Sequence, residues 1–180
     1  MEFEPMAGKF SGMKIFVTGN PGCGKSTLIR ELMEEFSGKA VAGVITPEIR
    51  DGGRTGFEIM DIASGKKRVL ASVDIKRGPR VSKYGVNVKG IDEVVEEFYK
   101  GFYGAEIVFI DEIGSMEFFS ARFKSMIEEV CGSDKTVVAT LHRNLARKFA
   151  GRGGKLYELK REGFNEIKRA ILGDLEKEVL

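Results

Sequence analysis

The sequence predicts an α/β domain: a mostly parallel, doubly wound sheet with helices on both faces and an antiparallel hairpin inserted at one edge. Three observations lead there. Short apolar runs of strand length alternate with stretches of helical periodicity along the chain. Two of those runs, 106–110 and 135–140, are apolar on both faces, as a strand covered by helices on both sides must be. In the middle, "GFEIMDI" and "KKRVLAS" flank "ASG", the pattern of two antiparallel strands with Ser64-Gly65 near their turn.

In order, "MKIFVTG" (13–19) is an apolar strand closed by glycine. "KSTLIRELMEEF" (25–36) is a helix with Leu28, Leu32 and Phe36 on one face and Glu31, Glu34 and Glu35 largely on the other. "AVAGVIT" (40–46) is a second buried strand, followed by the hairpin. Helical spacing returns over 91–103; the strand at 106–110 precedes a helix from about 117 to 130. A strand at 135–140, another at 155–160 and a closing helix from 164 complete the alternation, which calls for right-handed crossovers.

With 180 residues the chain supports one domain, expected over 13–180 behind a flexible extension at 1–12. Lys and Arg total 29 against 27 Asp and Glu, so nothing announces a nucleic-acid surface. The late basic cluster (Arg143, Arg147, Lys148, Arg152, Lys155, Lys160, Arg161) is read as a solvated face. Cys23 and Cys131 have no metal-type spacing and suggest no disulfide framework, which points to a reducing, cytoplasmic setting. No apolar run has membrane-spanning length. The chain has no Gln and only four Asn, a depletion of heat-labile amides seen in thermophiles. A monomer or weak oligomer is expected.

"GNPGCGKST" carries the first chemistry. Gly19, Asn20, Pro21, Gly22, Cys23, Gly24, Lys25, Ser26 and Thr27 match G-x-x-x-x-G-K-[ST] between a strand and a helix, the context a phosphate loop requires. Glycines let the backbone N–H groups converge on an oxyanion, and the helix start adds its positive dipole end. Lys25 is expected at the β and γ phosphates, Ser26 on Mg²⁺ and Thr27 near the α-phosphate of a nucleoside triphosphate.

Two adjacent acids supply the rest. Asp111 and Glu112 follow the apolar run Ile107, Val108, Phe109 and Ile110, and precede Ile113 and Gly114. A carboxylate ending a neighbouring strand is the second protein anchor for Mg²⁺, a role assigned to Asp111. Glu112, one step on, is placed to direct a water at the γ-phosphate. If "AVAGVIT" (40–46) or another strand is inserted between the phosphate-loop strand and the Asp111 strand, the chain falls in the additional-strand, catalytic-glutamate class, with Thr140 or His142 as a polar sensor. Arg143 is the candidate arginine finger; Arg54, Arg80, Arg147 and Arg152 are its rivals.

The chain lacks N-K-x-D and L-S-G-G-Q, which argues against a guanine-specific switch and a transporter ATPase. A nucleotide or nucleoside kinase, with "GRGGK" (151–155) as a basic lid, stays open, as does a nucleotide-gated module acting on RNA. "GNPGCGKSTLI", "GVITPEIRDGGRTGFEIMDI", "GPRVSKYGVNV" and "FIDEIGSMEF" together resemble the small nucleoside-triphosphatase family first known from thermophiles, with vertebrate members called cancer-related NTPases. The resemblance spans roughly 13 to 165 and implies a RecA-like fold. It also implies Mg²⁺-dependent hydrolysis of several nucleoside triphosphates to diphosphate and phosphate, with 19–26 and 107–114 as nucleotide-site segments. "RDGGRTGFE" is expected either to reach the ligand or to serve only as a turn, and Tyr84 either to stack on a base or to pack in the core.

Overall fold

The computed structural model describes residues 10–179. Among them, ten strands form one sheet in the order β10-β1-β9-β8-β2-β4-β5-β7-β6, with β3 paired to β4. The strands are β1 (Lys14–Gly19), β2 (Val41–Ile45), β3 (Glu48–Arg50), β4 (Arg54–Asp61), β5 (Lys67–Ser72), β6 (Arg80–Val81), β7 (Tyr84–Val86), β8 (Ile107–Ile113), β9 (Thr136–Leu141) and β10 (Lys155–Leu159). The helices are α1 (Lys25–Glu35), α2 (Val88–Phe102), α3 (Ala121–Gly132), α4 (Arg143–Ala150) and α5 (Phe164–Val179).

From β10 to β2 the strands run parallel. From β4 onward they are antiparallel, so the hairpin region extends the sheet instead of sitting on it. Along β1, β9 and β8 as far as Ile110 the strands alternate in what they bury. Phe16, Val108, Ile110, Val137 and Ala139 face a core closed by α2, α3 and α4. Ile15, Val17, Ile107, Phe109 and Val138 face a second core under α1 and α5. A period of two with both sets apolar is what a strand covered on both faces demands.

Local chemistry sets several boundaries. Asn87 caps α2 by accepting from the Gly90 N–H at 3.0 Å, so this helix begins three residues before the periodicity at Ile91 suggests. Ser120 caps α3, accepting from the Phe123 N–H at 2.9 Å, and a short 3₁₀ turn over Glu117–Phe119 replaces the expected first helical turn. At the hairpin tip the Asp61 carboxylate accepts from the Ser64 N–H and hydroxyl at 2.8 and 2.7 Å, with Gly65 left-handed at φ 72°. Of the expected extension, residues 1–9 lie outside the described residues. Phe10 packs its ring on Phe16 and Phe149 and donates its N–H to the Arg152 carbonyl at 2.8 Å, so the ordered domain reaches at least this far.

Candidate active site

The phosphate loop leaves β1 at Gly19 and turns into α1. Gly24, the residue before the helix, sits at φ 108°, and a Cβ there would stand 3.3 Å from the Phe164 ring. Lys25 is buried to 9% exposure, and its ammonium donates to the Gly19 carbonyl at 3.1 Å and the Asn20 carbonyl at 3.4 Å. Held this way, the cation stands inside the loop rather than out in solvent.

The two acids arrive from β8. The strand between β1 and β8 is β9; β2 lies on the far side of β8. The inserted strand of the additional-strand class is therefore 136–141, not 40–46. Asp111 is 5% exposed and its Oδ1 accepts from the Thr140 hydroxyl at 2.6 Å. The Ser26 side chain also hydrogen-bonds this carboxylate. Burial pushes the Asp111 carboxyl up, while Thr140, Ser26 and Lys25 pull it back toward ionisation. Its backbone carbonyl accepts from Thr46 at 2.8 Å, tying β8 to the end of β2.

Glu112 is half-buried, with Oε2 4.0 Å from the Lys25 ammonium. Burial raises its pKa, Lys25 opposes that, and the Asp111 charge adds to it. Lys25, Ser26, Asp111 and Glu112 thus meet at one spot, at the carboxyl ends of β1, β9 and β8, where ligands bind in such sheets. A third acid, Glu117, which the sequence did not single out, joins them. It is 5% exposed, and burial lifts its carboxyl to about 8, with Glu112 and Asp111 adding and two backbone N–H groups opposing. Its Oε2 would lie 3.1 Å from a Cβ at Gly114, and Glu112 Oε1 3.3 Å from the same point.

The arginines separate cleanly. Arg143 donates to the Asn20 side-chain oxygen at 2.8 Å, at the lip of the loop. Arg50 and Arg54 both bind Glu48, at 2.5 and 3.0 Å, and Arg54 also reaches the Tyr84 hydroxyl at 3.1 Å. Arg80 is tied to the Ile75 and Lys83 carbonyls. Arg147 lies on the exposed side of α4, and Arg152 lies over the Phe10 ring, 4.5 Å from its centroid. Tyr84 is 4% exposed with its ring edge-on to Phe57, so the core alternative holds for it. His142 caps its own helix, accepting from the Asn144 N–H at 3.4 Å.

Two expectations need correction. "GRGGK" is not a lid: it turns into the amino end of β10, away from the loop, and a Cβ on Gly154 would strike the Phe16 ring at 2.4 Å. The basic cluster is not only a solvated face, because Arg161 donates to the Gly22 carbonyl at 3.2 Å. That contact joins residues 139 apart in sequence, which is why spacing gave no signal of it. A groove of about 550 Å³ around Phe102, Tyr103, Glu129 and Lys135 lies at the amino ends of β8 and β9, opposite the site.

Fold and site together define a P-loop NTPase domain with an added strand between the loop strand and the acidic strand. A family model described as NTPase matches residues 14–172, and the chain belongs to that family. It is 43% identical over 171 residues to the nucleoside-triphosphatase THEP1 of Methanocaldococcus jannaschii, covering 91% of this chain and 99% of that one. The nucleoside-triphosphatase THEP1 of Thermotoga maritima is 34% identical, with 91% and 95% covered. The crystal structure of THEP1 from the hyperthermophile Aquifex aeolicus aligns with a TM-score of 0.79 at 35% identity, covering 91% and 99%.

Proposed function

We propose that this chain hydrolyses nucleoside triphosphates, ATP and GTP among them, to the diphosphate and phosphate, with Mg²⁺. The single observation that carries this reading is the meeting of the loop and the acids: Ser26 bonded to Asp111 and Lys25 4.0 Å from Glu112. Family membership and the names of the relatives point the same way.

The donor set fits a hard divalent cation. One hydroxyl and one carboxylate stand side by side, and among the described residues no group of three or more His, Cys, Asp and Glu forms a metal cage of its own. An ion held by few protein oxygens and completed by substrate phosphates is the common Mg²⁺ arrangement. Ser26 and Asp111 would hold Mg²⁺, which would supply charge neutralisation at the phosphates. Thr140 and Ser26 keep the Asp111 carboxylate oriented. Lys25 offers its ammonium to the oxygens between the same phosphates. Glu112, raised by burial, accepts a proton from the attacking water as its oxygen bonds to the γ-phosphorus, and the β–γ anhydride bond breaks with its electrons leaving on the diphosphate. Arg143, at the lip of the loop, adds positive charge where the γ-phosphate develops negative charge.

Phosphate release from ATP, GTP, CTP and UTP, with Mg²⁺ and with excess EDTA, tests the reading. Release that needs the ion and no acceptor molecule supports it. Release that begins only when a nucleoside or nucleoside monophosphate is added would show a kinase instead.

A further inference from the structure

The sheet order decides where the two ends of a bound nucleotide go. The loop strand β1 has β9 and β8 on one side, bringing Asp111 and Glu112, and β10 on the other. A phosphate chain whose terminal group lies beside Glu112 must therefore leave the loop toward the β10 side. On that side the residues after β10 build a second wall against the loop. Gly22, Cys23, Gly24, Thr27 and Glu31 on one side and Arg161 and Phe164 on the other line an open groove of about 290 Å³.

The wall is attached to the loop, not merely near it. Arg161 Nε donates to the Gly22 carbonyl at 3.2 Å. Two carbons of the Phe164 ring lie 3.3 and 3.4 Å from where a Gly24 Cβ would stand, so the glycine is what lets the ring approach. Glu31, which also lines the groove, is already bound to Lys168 at 3.0 Å. With its Nε edge tied down, Arg161 keeps a planar cation on the groove, beside an aromatic ring. A planar cation and a ring are the two surfaces on which a flat heterocycle stacks, without any demand on its hydrogen-bonding edge.

We propose that this groove is the nucleoside subsite, in which Arg161 and Phe164 hold the base by stacking; the assignment rests on the nucleotide chemistry proposed for the loop. A second phosphate in this groove would leave the ring idle.

The test compares ADP with inorganic tripolyphosphate, which offers the phosphate chain and no base, by calorimetric binding with Mg²⁺ to wild type, Arg161→Ala and Phe164→Leu. Arg161 is exposed, so its removal leaves the core intact, and Leu keeps the apolar contact of Phe164 while losing its ring. Each variant is expected to weaken ADP about tenfold and to leave tripolyphosphate within about twofold of wild type, as loss of one stacking surface implies. Equal losses on both ligands would make the pair a brace for the loop and overturn the subsite, as would ADP binding that neither variant weakens. ADP binding that behaves as expected in a chain releasing no phosphate from ATP would sink the hydrolytic reading alone.

Discussion

Asp111 is removed from water and relies on two hydroxyl donors, Thr140 and Ser26, to keep its charge. Thr140→Val deletes one of the two donors at nearly constant volume and should cost roughly 1–3 kcal/mol of stability, the usual loss when a buried charged acceptor is deprived of a hydrogen bond. Thr140→Ser should recover most of it, and urea unfolding of the three proteins measures both effects. Glu117 works in the opposite sense. Its carboxyl is raised from 4.5 to about 8, so the folded state holds a proton that the unfolded chain releases earlier. The stability this contributes is complete below about pH 4.5 and is lost as pH rises through about 8. Glu117→Gln is permanently neutral and still able to accept from the backbone N–H groups. It should therefore lose less stability than wild type between pH 5 and pH 8, the gap growing by at most about 1.4 kcal/mol for each tenfold fall in proton concentration. Chemical denaturation at both pH values checks this, and identical pH slopes would contradict a neutral buried Glu117.

Among the elements, β8 and β2 bear most of the geometry. Gly43 in β2 has no room for a side chain: a Cβ would stand 2.0 Å from the Phe109 carbonyl of β8. Gly43→Ala should force the two strands apart, lowering stability by several kcal/mol of strain and lost pairing. Thermal melts would show this, and a melt within about 1 kcal/mol of wild type would mean the β2–β8 contact is softer than it looks. The elements also show what a sequence can and cannot reveal. β1, β8 and β9 were legible because double-sided burial leaves an unbroken apolar run. α4 was not, since its eight residues carry only Leu145 and Phe149 as large apolar side chains among basic ones, and its cap is a histidine. β3, β6 and β7 are two or three residues long, too short to establish a period.

At the scale of the whole molecule, the site is a product of topology. Lys25 and Ser26 announce themselves because a phosphate loop packs all its chemistry into nine consecutive residues. Asp111 and Glu112 were legible as acids ending a buried strand. Glu117 was hidden because only the fold of the 3₁₀ turn points its carboxyl back toward Gly114. Arg161 and Phe164 were hidden because β10 reaches β1 only by pairing with it across most of the chain's length. A ligand bridging β8, the loop and the β10 side should stabilise all of these together. Mg²⁺-ADP at about 100 times its dissociation constant should raise the unfolding free energy by roughly 2.7 kcal/mol. Lys25→Ala, which removes the ammonium inside the loop, should abolish most of that gain in a thermal-shift assay.

The claim beneath the whole account is that Glu112 directs the water while the loop holds the phosphates. It is tested most directly by measuring phosphate release and nucleotide binding side by side for wild type and Glu112→Gln. The account predicts that the variant binds Mg²⁺-ATP within a few-fold of wild type yet turns over at least about 100-fold more slowly, the low end for loss of a general base. Turnover equal to wild type with binding intact would contradict it.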